Sequence, residues 1–331
     1  MRNPYIKIAL FLLVAGGLVF FVRATDWPAV LAAVQQVGYN FLFLLGITFL
    51  SAWLGVWGWQ YCLPDKGAAV PAWKLFWIRM FGENIAILNP ASMVGGEAAK
   101  IYLLRDLGID SRAALHSIIL SRTIMIVSQI CLLLLAIVVF LVLSDFSVSG
   151  AAWSGFWSGG ALLLVLVGLW LLRSRFFRKG ARAFLGRLGW LARYGQAKQY
   201  LANLWQELHT FYRENRQAMF LSFLFCSLHW VVGSLEFYFI LLFLGVKTTV
   251  AKALLVDMGV VVFKSAGAFV PAQIGVEEYG NKVMLALIGV AGSTIWVTAS
   301  ILRRTRQLCW MVLGFAVYAV LFRRRLVNFQ R

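Results

Sequence analysis

The chain has 331 residues, 61% of them hydrophobic and only 13% charged, with a net charge of +18. Soluble domains are roughly a quarter charged, and several apolar runs here exceed the ~18 residues that mark a spanning helix, so a soluble fold is excluded. Strict alternation of apolar and polar residues is absent, which excludes a β-barrel, and the basic residues cluster beside apolar runs, which excludes a nucleic-acid binder in favour of a membrane surface.

Arg2 and Lys7 precede IALFLLVAGGLVFFV, and Arg23 closes that run without a small-residue cleavage site, so 6–22 reads as an uncleaved first span. Segment 26–38 (DWPAVLAAVQQVG) is short and mixed and reads as an interfacial helix. Further spans are expected at 40–61, 113–143, 152–172, 217–245 and 291–322. Between the fourth and fifth, residues 173–216 hold ten Lys/Arg against Glu207 and Glu214, with apolar residues at spacings of three and four. That is a basic amphipathic helix for the anionic inner leaflet. Arg323, Arg324 and Arg325 close the last run.

Two other segments are apolar but broken. Residues 74–108 contain NPASMVGGE (Asn89 to Glu97), and 251–289 contain FVPAQIGVEE (Phe269 to Glu278). The breaks are Pro90, Gly95 and Gly96 in one, Pro271 and Gly275 in the other. Proline removes a backbone donor, and freed backbone groups are tolerated at membrane depth only where protein or a water-filled cavity satisfies them. Each segment is therefore expected to be a re-entrant helical hairpin.

Shifting the sequence by 181 aligns the two breaks. Pro90 meets Pro271, Ala91 meets Ala272, Glu97 meets Glu278, Leu104 meets Leu285, Gly108 meets Gly289 and Arg122 meets Arg303. Three spans lie between the hairpins, and an odd number inverts the second copy. The expected fold is an all-α polytopic membrane protein, a single integral domain over 1–331, with six spanning helices and two re-entrant hairpins as inverted-topology repeats (1–143 and 152–322). The positive-inside rule then puts both termini and the 173–216 loop in the cytoplasm. Inverted repeats with broken helices mark transporters whose site lies at the repeat interface.

Charges inside such a structure must pair or face water, since each costs at least ~2.5–3.5 kcal/mol on insertion scales. Glu97, Glu277 and Glu278 follow the breaks, and Arg122 and Arg303 lie about three turns into their spans. Two readings stand side by side: carboxylate–guanidinium sites lining a polar path, or clips joining Glu97 to Arg122 and Glu278 to Arg303. His229 and Glu236, seven residues apart, suit a proton relay or a polar pair against a hairpin. Asp257 and Lys264 share a helical face at the same spacing. Glu83 is expected near the first hairpin tip. Asn84, Asn89, Ser92 and Gln273 flank the breaks as caps or headgroup contacts. The four cysteines are scattered without metal or disulfide spacing; no P-loop is present, and no cofactor or metal is expected.

The stretches NPASMVGGEAAKIYLLRDLG, SIILSRTIM and FVPAQIGVEEYGNKVMLALIG together resemble the flippase-like transmembrane domain of lysylphosphatidylglycerol synthases. The family pattern falls on Pro90, Gly96, Glu97, Gly108 and Arg122, then on Pro271, Gly275, Glu277 and Arg303. The family glutamate sits two after the second glycine and so favours Glu277, whereas the 181 shift favours Glu278. The resemblance implies lipid translocation in a bacterial cell (inner) membrane. It does not imply lysyl transfer, because the bifunctional relatives carry a large cytosolic synthase domain after the membrane part and this chain stops nine residues after the last expected span. The leading expectation is a flippase-like transporter, not an enzyme. A polar or charged headgroup would pass between the hairpins, Arg122 and Arg303 would contact its phosphate, and the glutamates would orient the arginines or accept a cationic headgroup. The alternatives are a non-catalytic membrane partner of a lipid-modifying enzyme and a membrane lipid transferase. A second copy of the chain or a lipid-synthesis enzyme would be the protein partner.

Overall fold

A computed structural model describes residues 27–63, 70–88, 92–143, 211, 213–266, 273, 275–290 and 292–327. The spans expected at 6–22 and 152–172, most of the 173–216 loop, and Asn89, Pro90 and Pro271 lie outside the described residues. Nine helices and no strand are found among the described residues. In chain order they are α1 (Trp27–Val37), α2 (Asn40–Gln60), α3 (Ala72–Leu88), α4 (Ser92–Arg105), α5 (Ser111–Leu143), α6 (Arg216–Phe243), α7 (Val250–Ala266), α8 (Val276–Leu287) and α9 (Ser293–Val327).

Three of them, Asn40–Gln60, Ser111–Phe140 and Arg216–Phe243, are long and apolar enough to cross a membrane. The protein is a membrane protein. Its apolar residues point both ways: Leu44, Leu75, Phe76, Ile78 and Phe237 are fully buried, while Leu42, Phe43, Ile126, Ile130 and Phe220 face outward as a lipid-facing surface would require. Helix α9 is 35 residues long but carries Arg303, Arg304 and Arg306 about three turns in and Arg323 to Arg325 near its end, which lower its hydropathy.

Each broken segment is two packed helices, α3 with α4 and α7 with α8. Helix α9 packs on α3, α8, α1 and α2, and α2 packs on α3. Residues through Leu133 and from Phe220 onward form one compact unit, which holds every contact described below. Within the first pair the helices cross closely because glycine faces glycine. A Cβ on Gly82 would lie 2.9 Å from the Gly96 carbonyl oxygen and 2.6 Å from Lys100 Cε, and one on Gly96 would run into the Gly82 carbonyl. The second glycine of the GGE motif is thus a packing residue.

Both pairs end alike. Gly108 (φ +87°) and Gly289 (φ +89°) take the left-handed conformation that ends a helix cheaply only at glycine. The next amide reaches back five residues in each case, Ile109 N–H to the Leu104 carbonyl (3.2 Å) and Val290 N–H to the Leu285 carbonyl (2.9 Å).

Candidate functional site: two charged clusters at the helix pairs

The first cluster forms where α2, α3, α4 and α5 meet. Arg79 and Glu83, four apart on α3, form an ion pair at 2.8 Å. Glu97 and Lys100, three apart on α4, pair at 3.3 Å. Arg122 reaches across from α5 to the same carboxylate oxygen, Glu97 Oε1, with Nε and Nη2 each at 2.8 Å. Three cations therefore share two carboxylates. These five side chains line a small, partly open cleft together with Trp59, Ile118, Ser121 and Met125. Arg79 and Lys100 are buried in its wall, whereas the Arg122 side chain is 43% exposed. Glu97 Oε2 is buried with no hydrogen-bond partner. Arg79 sits against Gly55 of α2, where any Cβ would overlap its guanidinium.

The second cluster is built on α6, α7, α8 and α9. Arg303 meets Asp257 Oδ1 at 2.8 Å, Glu277 Oε1 at 3.3 Å and Glu236 Oε2 at 3.8 Å, and its guanidinium lies 4.2 Å above the Phe237 ring. Lys264 binds the other oxygen of Glu277 at 3.3 Å. Glu278 takes Arg304 Nε at 2.7 Å and also accepts the Gly275 N–H at 2.7 Å, closing the first turn of α8. Arg306 completes the set by pairing with Glu236. Four cations meet four carboxylates here, and the Arg303 side chain is only 6% exposed.

A family model described as the lysylphosphatidylglycerol synthase TM region matches residues 6–316. The chain belongs to this family. No curated protein and no solved structure matches the chain. Of the positions the resemblance singles out in this lysylphosphatidylglycerol synthase transmembrane family member, Gly96 and Glu97 lie in the first turns of α4 and Gly108 ends that segment. Gly95 also falls within α4, and Gly275 (φ +84°) precedes α8.

The expected pairing of Glu97 with Arg122 is present. That of Glu278 with Arg303 is not: Glu277 takes Arg303, and Glu278 takes Arg304. Adjacent residues on a helix point about 100° apart, so each glutamate meets its own arginine. By partner Glu277 is the counterpart of Glu97; by sequence register it is Glu278. His229 and Glu236 do not pair. His229 Nδ1 lies 2.7 Å from the Ser51 carbonyl, and Ser51 Oγ donates to the His229 carbonyl at 2.8 Å, joining α6 to α2, while Glu236 faces the arginines of α9. Asp257 and Lys264 likewise separate, onto Arg303 and Glu277. Asn84 is no cap: its Nδ2 donates to the Met311 carbonyl of α9 at 3.3 Å, beside Gly314. Glu83 lies within α3, one turn from Arg79, not at a tip. Gln273 (φ +53°) does act as a cap, its Nε2 donating to the Lys264 carbonyl at 3.3 Å in the last turn of α7. Arg79, Lys100, Arg304 and Arg306 were not anticipated. The i, i+4 spacing of Arg79 and Glu83 and the i, i+3 spacing of Glu97 and Lys100 are the signals that mark the first two.

Proposed function

We propose that this membrane protein moves a polar or charged lipid headgroup between leaflets, with the acyl chains remaining in lipid. The observation that carries the reading is the first cleft. Five ionisable side chains converge in a site walled by apolar helices, and the cation at its mouth, Arg122, is nearly half exposed. Charges so placed are costly unless they serve a polar path or a ligand. Family membership supports the lipid, since the name of the family joins a membrane region to a phospholipid product.

In this reading the two helix pairs are re-entrant hairpins of an inverted repeat that spans the bacterial inner membrane. The 181-residue offset supports it. Adding 181 to Gly108 gives Gly289, and adding it to the starts of α4 and α5, 92 and 111, gives 273 and 292, against observed starts of 276 and 293. Broken helices related in this way suit alternating access. The first cleft is accessible while the second cluster is paired, as one state of such a cycle would have them. The protein acts as a transporter rather than an enzyme.

The test is leaflet-resolved movement of labelled lipid in proteoliposomes with wild type, Arg122→Ala and Glu97→Gln at equal incorporation. Wild type is expected to accelerate exchange, and both variants to lose at least tenfold, which corresponds to the loss of about 1.4 kcal/mol of stabilisation. Equal rates in all three would remove the cleft from the path, and no acceleration by wild type would remove the function.

A further inference from the structure

The two clusters differ in charge balance, and the carboxylates that surround Arg122 and Arg303 differ under the repeat offset. The three carboxylates around Arg303 are Glu236, Asp257 and Glu277. Subtracting 181 gives positions 55, 76 and 96, which are Gly55, Phe76 and Gly96. None is charged. Gly55 seats the Arg79 guanidinium, Phe76 is fully buried, and Gly96 lies on Gly82. Among the described residues Arg122 is left with Glu97, which it engages through Nε and Nη2, so its Nη1 edge remains for a ligand. Among the described residues, Arg79, Lys100 and Arg122 against Glu83 and Glu97 leave the first cleft with one net positive charge, whereas the four cations and four carboxylates of the second cluster balance.

We propose that the first cleft is a receptor for the phosphate of an anionic lipid, held by Arg122 and Lys100, and that the second cluster is closed on itself and takes no headgroup. The proposal rests on the translocation reading and names its substrate class, a lipid whose headgroup is a net anion. Glu97 answers to Glu277 by partner, and the phosphate supplies beside Arg122 the negative charge that Glu236 and Asp257 supply beside Arg303. Guanidinium matches phosphate oxygens bidentately, and the Lys100 ammonium has N–H donors beyond the one it gives Glu97. A zwitterionic headgroup would bring its own cation into a cleft that is already cationic.

Calorimetric titration of the full chain in an uncharged detergent tests this with three probes: dihexanoyl phosphatidylglycerol, dihexanoyl phosphatidylcholine and inorganic phosphate. The expected result is one site that prefers the anionic lipid to both others. Arg122→Gln is expected to weaken it roughly tenfold or more, as loss of a charged hydrogen bond does. Lys100→Gln, which removes the second proposed phosphate contact, is expected to weaken it similarly. Equal binding of both lipids, or unchanged affinity in Arg122→Gln, overturns the proposal. Tighter binding of inorganic phosphate than of the anionic lipid overturns the lipid assignment and leaves a free-anion site. Translocation separates the two readings: equal movement of both lipids by wild type sinks the charge preference alone, and anion binding without any movement sinks translocation alone.

Discussion

Arg122 and Arg303 lie 181 residues apart and have contrasting surroundings. Arg303 is buried among three carboxylates and an aromatic ring. Removing one partner of a buried ionic network leaves uncompensated charge and costs about 3–5 kcal/mol. Arg303→Ala is therefore expected to lower the unfolding midpoint in detergent sharply, with aggregation or loss of expression as the extreme, whereas Arg122→Ala, half exposed and bonded to one carboxylate, is expected to shift it little. Equal destabilisation by the two would contradict the division of roles. At Gly82 and Gly96 the constraint is steric. Gly96→Val would press on the Gly82 carbonyl and on Ala86, and overpacking of this kind costs typically about 1–3 kcal/mol. A thermal melt of that variant at the wild-type midpoint would show that the α3–α4 crossing is looser than described.

The helix pairs are the elements that carry these residues, and their ends are specified by glycine. Gly108→Ala and Gly289→Ala each force a side chain into the left-handed region, at roughly 1–2 kcal/mol. The sites lie in different halves, so the double variant is expected to show the sum of the two shifts; a strongly non-additive result would mean that the two ends are coupled. These elements were legible from the sequence because local chemistry writes them. Apolar runs mark α2, α5 and α6 to within a few residues, proline marks the breaks, and Gly108 and Gly289 mark the ends. Partner choice was not legible. His229 and Glu236 share a helix and suggest a pair, yet each has a partner on another helix, and Arg303 gathers carboxylates from 26, 46 and 67 residues away. Only the tertiary fold brings these residues of α6, α7 and α8 to one arginine of α9. The cleft itself belongs to no segment, since its walls come from four helices.

At the scale of the molecule, inverted repeats make a topological prediction. The chain leaving the first helix pair at Asp110 should lie on the cytoplasmic side, and the chain leaving the second at Gly292 on the opposite side. Single cysteines placed by Asp110→Cys and Gly292→Cys in a background lacking the four native cysteines should react with an impermeant maleimide from opposite faces of sealed vesicles. Labelling from one common face would contradict the inversion. On the proposed reading, the contrast between an exposed cationic cleft and a buried neutral cluster is one state of an alternating device in which only the first half receives the headgroup.

The most direct measurement is a structure of the full chain in nanodiscs of anionic lipid. Phosphate density within hydrogen-bonding distance of Arg122 and Lys100, with Arg303 still enclosed by Asp257, Glu277 and Glu236, is the predicted result. An empty first cleft with headgroup density at Arg303 would contradict the account.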